Sequence, residues 1–248
     1  MSYFKYKNFN IYYKVYGEGR PLVIIHGDTA SSKMFIPELK FYSKNFKVIL
    51  LDLVGQGKSQ RVNELPLNYW HFNAMLVIEL CKYIGISNVN LLGTSGGAIV
   101  ALNAVLEEPV LFNKIIVDSF IGENLSYDFA KKILHDREIA KSKLGSKLFW
   151  FMMHGSDWKN IIDQNTNLII NFSRNIGNFF DCRLNSIEND ILITGSLKDD
   201  LIPNIESILK SINLKIENSK LVIFKNGNHP AMFSNKKEFR NLVLNFLT

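Results

Sequence analysis

The stretch Gly93-Thr94-Ser95-Gly96-Gly97 decides how this 248-residue chain folds. It follows a short, mostly apolar run at residues 89–92 that favours a buried strand, and it precedes an apolar run at residues 98–102 that favours a helix. A serine between glycines at such a turn needs small neighbours, because the backbone there is sharply bent and strained. Its hydroxyl is held beside a helix N-terminus, where free N–H groups favour negative charge. The pattern predicts a nucleophile at Ser95.

Further runs typical of strands extend outward from that turn in both directions. Residues 3–16 alternate polar and apolar side chains and predict a β-hairpin. Continuous apolar runs predict buried strands at residues 21–25, 47–52, 114–118, 190–195 and 220–224. Because strands alternate with helical segments, the sequence predicts an α/β fold with a mostly parallel, eight-stranded, doubly wound sheet.

The alternation stops between residues 121 and 185. Residues 131–147 and 149–158 have the pattern of amphipathic helices, and residues 165–183 favour further helix or loop. We therefore expect two units: a core made of residues 1–120 and 186–248, and a helical cap insertion at residues 121–185.

The charge balance leaves nucleic-acid binding as a class to consider, because the formal net charge is +6. The lysines are scattered, however, and neither a run of five like charges nor a nucleic-acid motif is present. We expect a lysine-rich solvated surface and no nucleic-acid partner. No apolar run reaches the roughly 18–20 residues of a membrane span, and the N-terminus lacks a leader pattern. A cytoplasmic location is the expectation, and the oligomeric state is left open.

The two cysteines predict neither a disulfide nor a metal site. Cys81 lies on the apolar stripe of a predicted helix, and Cys182 has no second ligand nearby. No cofactor or metal is expected from the motifs of the chain.

A base for the serine follows the last predicted strand. The C-terminal ends of parallel strands meet at one edge of a sheet, and His229 lies in the turn after the final strand. A serine hydroxyl is a poor nucleophile unless a base takes its proton, so His229 is the predicted base. Its imidazole needs an orienting carboxylate, and Asp199, Asp200 and Asp118 are all candidates at the same edge.

An oxyanion formed by attack on a carbonyl needs donors that are already in place. The backbone N–H of Gly96 at the helix start is one candidate, and the turn formed by Gly27 and Asp28 offers a second. His26, which precedes this turn, is interpreted as structural. His71, His135 and His154 are interpreted as surface or cap residues, and residues 149–153 either line an acyl pocket or pack the cap on the core.

Five motifs in order resemble those of the α/β-hydrolase fold family. They are the serine turn at residues 93–97, the histidine-glycine turn at residues 26–27, the glycine-punctuated loop at residues 52–59, the acidic turn at residues 195–203 and the histidine turn at residues 227–229. The resemblance implies that Asp28 donates its N–H to the oxyanion. It also implies a triad acid four positions before Pro203, which favours Asp199, with Asp200 and Asp118 as alternatives.

One residue departs from the family pattern. Relatives often carry an apolar side chain at the position of Asp28, and a carboxylate aimed at the oxyanion would oppose catalysis. We expect this side chain to turn away and to bind the turn at residues 29–32.

The resemblance implies a serine hydrolase that cleaves a small carboxylic ester or thioester. The same residues serve amide hydrolysis, carbon–carbon hydrolysis and acyl transfer, and the fold does not decide among them. A non-catalytic ligand sensor is the competing class, but a complete triad argues against it. The partner is expected to be a small-molecule substrate.

Overall fold

The computed structural model describes residues 2–248, and eight of its strands form one sheet. The strands are β1 (Ser2–Tyr6), β2 (Phe9–Tyr16), β3 (Arg20–Ile25), β4 (Phe46–Leu51), β5 (Val89–Thr94), β6 (Phe112–Asp118), β7 (Asp190–Ser196) and β8 (Ser219–Phe224). Their order across the sheet is β1-β2-β4-β3-β5-β6-β7-β8. The pairs β1–β2 and β2–β4 are antiparallel, and all the others are parallel. The predicted fold class is confirmed.

Helices cover both faces of the sheet. They are α1 (Ile36–Tyr42), α2 (Tyr69–Tyr83), α3 (Gly96–Glu107), α4 (Tyr127–Ala140), α5 (Leu144–His154), α6 (Trp158–Asn175), α7 (Ile205–Lys215), α8 (Ala231–Ser234) and α9 (Lys236–Leu247). Short 3-10 turns span Ser32–Phe35, Pro109–Leu111 and Leu184–Ser186. Across residues 2–248, no helix combines the length and the apolar character that crossing a bilayer requires.

The period-two alternation of the strands divides the core into two layers. In β3, Leu22 and Ile24 pack on one side with α1 and α9, while Val23 and Ile25 pack on the other with α2 and α3. Successive side chains of a strand point to opposite faces, so a strand covered on both sides is apolar throughout. That explains why the strands next to Ser95 could be predicted as continuous apolar runs.

Three helices lie between β6 and β7, in the segment predicted as a cap. Their boundaries differ from the predicted ones, because the helix expected at residues 131–147 is interrupted at residues 141–143. Lys143 has φ −77° and ψ 131°, an extended conformation from which α5 starts afresh. The sequence is rich in lysine on both sides of residues 141–143, so its composition does not indicate that the helix ends there. The division into core and cap units stays a prediction.

Candidate active site

Ser95 is the turn between β5 and α3. Its φ of 55° and ψ of −126° lie in the left-handed half of backbone space, where residues other than glycine are uncommon. Its N–H donates to the Asp118 carbonyl at 2.8 Å, which fastens the turn to the end of β6. A Cβ on Gly27 would lie only 2.9 Å from the Cβ of Ser95, so the facing loop can come this close only with glycine there.

His229 lies in the loop between β8 and α8 and is bonded to Asp199. Nδ1 of His229 is 2.8 Å from Oδ2 of Asp199, whose side chain is completely buried. The other oxygen of Asp199 accepts the backbone N–H groups of Leu201 and Ile202 at 3.0 and 2.8 Å. Asp200 instead accepts the main-chain N–H of His229 at 2.9 Å. One acid therefore holds the ring and its neighbour holds the backbone.

Asp118, the third candidate acid, has different partners. Its Oδ1 accepts hydrogen bonds from the hydroxyls of Thr194 at 2.8 Å and Ser119 at 3.2 Å. Its Oδ2 accepts the Thr94 hydroxyl and the Met232 N–H, both at 3.1 Å. Burial raises the pKa of this carboxyl to about 6, against the effect of these donors. Asp118 thus links the strand end before Ser95 to the segment after His229.

Ser95 and His229 line the same cavity, which has a volume of about 930 Å³. No hydrogen bond joins their side chains in the part of the chain that the structure describes. Such contacts are often long in unliganded enzymes and tighten when substrate binds. Asp28 and Gly96 lie on the same wall, and neither of their N–H groups donates a hydrogen bond within residues 2–248. Both amides therefore remain available to a ligand in the cavity.

The Asp28 side chain does not take the predicted orientation. Its carboxylate lies against the Cα of Gly96, so that a Cβ on this glycine would collide with it. The expected contact with the turn at residues 29–32 is made by Asp52, whose Oδ1 accepts the N–H of Ser32 at 2.7 Å. The prediction that Asp28 binds this turn is wrong. Burial raises the pKa of Asp28 to about 6, and the nearby Arg137 and Trp70 oppose that rise.

Comparisons with known proteins support the fold described above. A family model described as alpha/beta hydrolase fold matches residues 20–136. A solved structure from a study of carboxylesterases of Nitrososphaera gargenis superposes with a TM-score of 0.81 at 16% identity, covering 99% of this chain and 97% of that one. The chain has the α/β-hydrolase fold.

Two curated relatives of this α/β-hydrolase-fold chain match it over different lengths. The (E)-2-((N-methylformamido)methylene)succinate hydrolase of Acinetobacter baylyi is 29% identical over 116 residues, which are 44% of this chain and 41% of that protein. The human serine hydrolase BPHL is 26% identical over 251 residues, covering 96% of this chain and 82% of that protein. The matched segment thus spans about two fifths of the first relative and most of the second.

His26 has the structural role predicted for it in the α/β-hydrolase fold. The side chain is fully buried, and its Nδ1 donates to the Gly27 carbonyl at 2.8 Å while Nε2 accepts the Leu53 N–H at 3.0 Å. Burial lowers the pKa of this imidazole, so the neutral ring that these two bonds require is favoured. The prediction is confirmed.

The sequence predicts His154 as a surface or cap residue, and the structure shows it buried at the end of α5 in the segment predicted as a cap. At the end of α5, its Nδ1 accepts the Gly57 N–H at 3.1 Å and its Nε2 lies 3.0 Å from the Thr29 carbonyl. Burial lowers its pKa to about 4. Ser31 donates to the Met153 carbonyl at 3.1 Å, so this end of the cap is fastened to the loop that carries Asp28.

The apolar run at residues 149–153 lines the cavity and packs between helices α5 and α6. Trp150 is buried and stacks on Trp158 with ring centroids 5.4 Å apart, which packs the cap internally. Phe149, Met152 and Met153 line the cavity beside it. Trp150 also lines the cavity, and its stacking partner lies within the predicted cap, so the role of the run as an acyl pocket stays a prediction.

Arg137 is a cavity residue that sequence reasoning missed. The sequence predicts an amphipathic helix at residues 131–147 without assigning a role to Arg137, and this residue lies on the cavity side of α4. Ala130, Ile133 and Ala140 share that side at spacings of three and four residues. The presence of an arginine on the apolar side of this predicted helix could have indicated a role in the cavity. No group of three His, Cys, Asp or Glu side chains in residues 2–248 is arranged as metal ligands.

Proposed function

We propose that this protein is a serine hydrolase that cleaves a small carboxylic ester or thioester through an acyl-enzyme on Ser95. One observation carries the proposal: a serine in a strained strand-to-helix turn lines the same cavity as a histidine whose other ring nitrogen is bonded to a buried aspartate. A pure binding site needs neither the strain nor the buried carboxylate. Curated relatives named as hydrolases support the same class of activity.

In the first step, Oγ of Ser95 attacks the substrate carbonyl carbon while Nε2 of His229 accepts the hydroxyl proton. Asp199 holds Nδ1–H and stabilises the imidazolium that forms. The carbonyl oxygen becomes an oxyanion, and the N–H groups of Gly96 and Asp28 are the proposed donors to it. Each such donor typically contributes about a hundred- to thousandfold in rate.

Collapse of this intermediate breaks the bond to the alcohol or thiol. His229 gives its proton to the leaving group, and the acyl group remains on Ser95. Water then attacks the acyl-enzyme while His229 takes one of its protons. The second collapse releases the carboxylic acid and returns the proton to Ser95, so the protein is unchanged at the end of the cycle.

Labelling with a fluorophosphonate probe tests the proposal directly, because such probes phosphonylate only activated serines. The wild type is expected to gain one adduct on Ser95 by intact-protein and peptide mass spectrometry, and Ser95→Ala is expected to gain none. The matched control is Ser186→Ala, which removes an exposed hydroxyl that does not line the cavity. Unlabelled wild type, or labelling that survives in Ser95→Ala, contradicts the mechanism.

A further inference from the structure

Among the described residues, two charged side chains that line the cavity form neither an ion pair nor a hydrogen bond to the main chain. Four others on its wall have partners: Lys33 donates to the Met152 carbonyl, Asp136 pairs with Lys132, and Glu38 pairs with Lys236. Arg137 and Asp28 form no ion pair within residues 2–248. They also form no ion pair with each other, although each is close enough to shift the pKa of the other.

The guanidinium of Arg137 is left mostly unsatisfied. It makes one hydrogen bond in the described chain, from Nη1 to the Thr166 hydroxyl at 3.0 Å, whereas a guanidinium has five N–H donors. Thr166 is buried, and its own hydroxyl donates to the Ile162 carbonyl at 2.7 Å. Burial lowers the pKa of Arg137 to about 10. Arg137 is half-buried, and a cation that is partly withdrawn from water is costly unless an anion compensates for it.

Two other arginines near helices α4 to α6 do have acidic partners, whereas the exposed Arg174 contacts the Tyr127 hydroxyl. Arg61 pairs with Asp157 through Nε at 2.6 Å, and Arg183 pairs with Glu107 at 2.6 Å. Like Arg137, both of those arginines are partly buried, yet each of them has a carboxylate. Asp28 is near enough to offset part of the positive charge, but it forms no hydrogen bond with the guanidinium. The free donors of Arg137 therefore point to an anionic group that arrives with the ligand.

The surroundings of Arg137 restrict what that ligand can be. The cavity wall near it is formed by apolar side chains of the core and the cap, among them Ile99, Ile133 and Ile169. A planar guanidinium binds a carboxylate through two parallel hydrogen bonds. The chain of the ligand that connects such a carboxylate to the serine must be compatible with an apolar wall.

We propose that Arg137 binds a carboxylate of the substrate, so that the preferred substrates are esters or thioesters that carry a second, ionised carboxyl group. This inference rests on the proposed function, since it concerns the same cavity. Arg137 is then a binding residue that determines specificity, and it takes no part in proton transfer. The carboxylate can belong to the acyl part, as in a half-ester of a dicarboxylic acid, or to the alcohol part.

Pairs of substrates that are similar in size, but of which only one carries a carboxylate, test the inference. Mono-p-nitrophenyl adipate and p-nitrophenyl hexanoate test the acyl side, and p-acetoxybenzoate and p-acetoxybenzamide test the alcohol side. The wild type is expected to favour the charged member of at least one pair in kcat/KM by about 10- to 100-fold, the range of a charge-assisted hydrogen bond. Equal rates for both members of both pairs overturn the inference.

The variant Arg137→Gln is expected to lose that preference, mainly through a higher KM for the charged ester. Arg137→Lys keeps the positive charge but cannot form two parallel hydrogen bonds with a carboxylate, and it is expected to retain part of the preference. The matched control is Arg174→Gln in the neighbouring helix α6, because Arg174 contacts Tyr127 outside the cavity. It is expected to keep the wild-type preference. A preference that persists in Arg137→Gln contradicts the assignment.

A binding measurement separates this inference from the hydrolase mechanism. Calorimetric titration with adipate is expected to show binding to the wild type and at least about tenfold weaker binding to Arg137→Gln. If adipate binds but no ester is cleaved, the proposed function fails and the anion site at Arg137 is supported. If Ser95 cleaves neutral esters but adipate does not bind, the proposed function is supported and the anion site fails.

Discussion

Oδ2 of Asp199 lies 2.8 Å from Nδ1 of His229, whereas the adjacent Asp200 bonds only to the main-chain N–H of that histidine. Two neighbouring carboxylates thus act on one residue in different ways. The first fixes the ring and its tautomer, and the second fixes the loop that carries the ring. The distinction leads to different expectations for their substitution.

We expect Asp199→Asn to lower kcat by about 10⁴-fold, because an amide favours the wrong tautomer of the base. That magnitude is the one known from serine proteases. Asp200→Asn keeps a carbonyl oxygen for the His229 N–H and is expected to lower kcat by about tenfold or less. Steady-state kinetics with p-nitrophenyl acetate compares the two variants. A larger loss in Asp200→Asn than in Asp199→Asn would reverse the assignment of the acid.

A second prediction concerns the carboxylate beside Gly96. The pKa of Asp28 is raised to about 6, so this side chain is negative at pH 8 and mostly neutral at pH 5. A negative charge there opposes the developing oxyanion. Asp28→Asn is therefore expected to raise kcat at pH 8 by about three- to tenfold. The ratio of variant to wild type should approach one at pH 5, as pH–rate profiles with p-nitrophenyl acetate can measure.

The same substitution has an effect on stability with a defined sign. An acid whose pKa rises from 3.8 to about 6 on folding destabilises the native state as pH increases through that interval. Asp28→Asn removes this cost and is expected to raise the free energy of unfolding by at most about 3 kcal/mol above pH 6. Below pH 3.8 the substitution has no effect through this ionisation. Urea unfolding of both proteins at pH 4 and pH 8 checks it. A gain that is equal at the two pH values excludes ionisation of Asp28 as its cause.

A third prediction concerns the attachment of the cap. His154 is neutral in the native protein because burial lowers its pKa from 6.5 to about 4. Its contribution to stability is complete above pH 6.5 and is lost as pH falls towards 4, by at most about 3 kcal/mol. His154→Gln is expected to reduce the difference in unfolding free energy between pH 7 and pH 4.5. The exposed His135→Gln on α4 is the control, and an equal effect there would refute this role.

A fourth prediction concerns the close approach of Gly27 to Ser95. Gly27→Ala places a Cβ 2.9 Å from the Cβ of Ser95 and 3.2 Å from the Thr94 carbonyl, so the loop or the serine must shift. We expect kcat to fall by about 10²-fold, the cost of a small misplacement at a reacting group. Gly145→Ala is the matched control, because a Cβ there meets nothing within 4 Å. It should leave kcat unchanged and raise the free energy of unfolding by about 0.5–1 kcal/mol.

Much of this architecture could be predicted because the local signals agree with the global fold. The strand beside Ser95 is apolar on both faces, the glycines around it permit the turn, and His229 follows the last strand of the sheet. The choice between Asp199 and Asp200 was harder. Adjacent residues differ only in the direction of their side chains, and the conformation of one short turn decides that.

The remaining features depend on packing between distant segments. The orientation of Asp28 follows from the space left by Gly96 and from the position of Arg137, which is 109 positions further along the chain. His154 is buried because the end of α5 reaches the loops at Thr29 and Gly57. Neither contact has a periodic signature in the sequence.

The four hydrogen bonds to the Asp118 side chain have a consequence for how the chain tolerates change. They come from three neighbouring strand ends and from the segment that follows His229. These bonds join the strand end before Ser95 to the segment after His229 inside the core, and the contacts of Asp199 and Asp200 hold His229 from the other side of its loop. Insertions in the connections around the cavity can accumulate and reshape the entrance while the reacting geometry stays fixed. The same bonds make position 118 the place where a single substitution displaces both halves of the site at once.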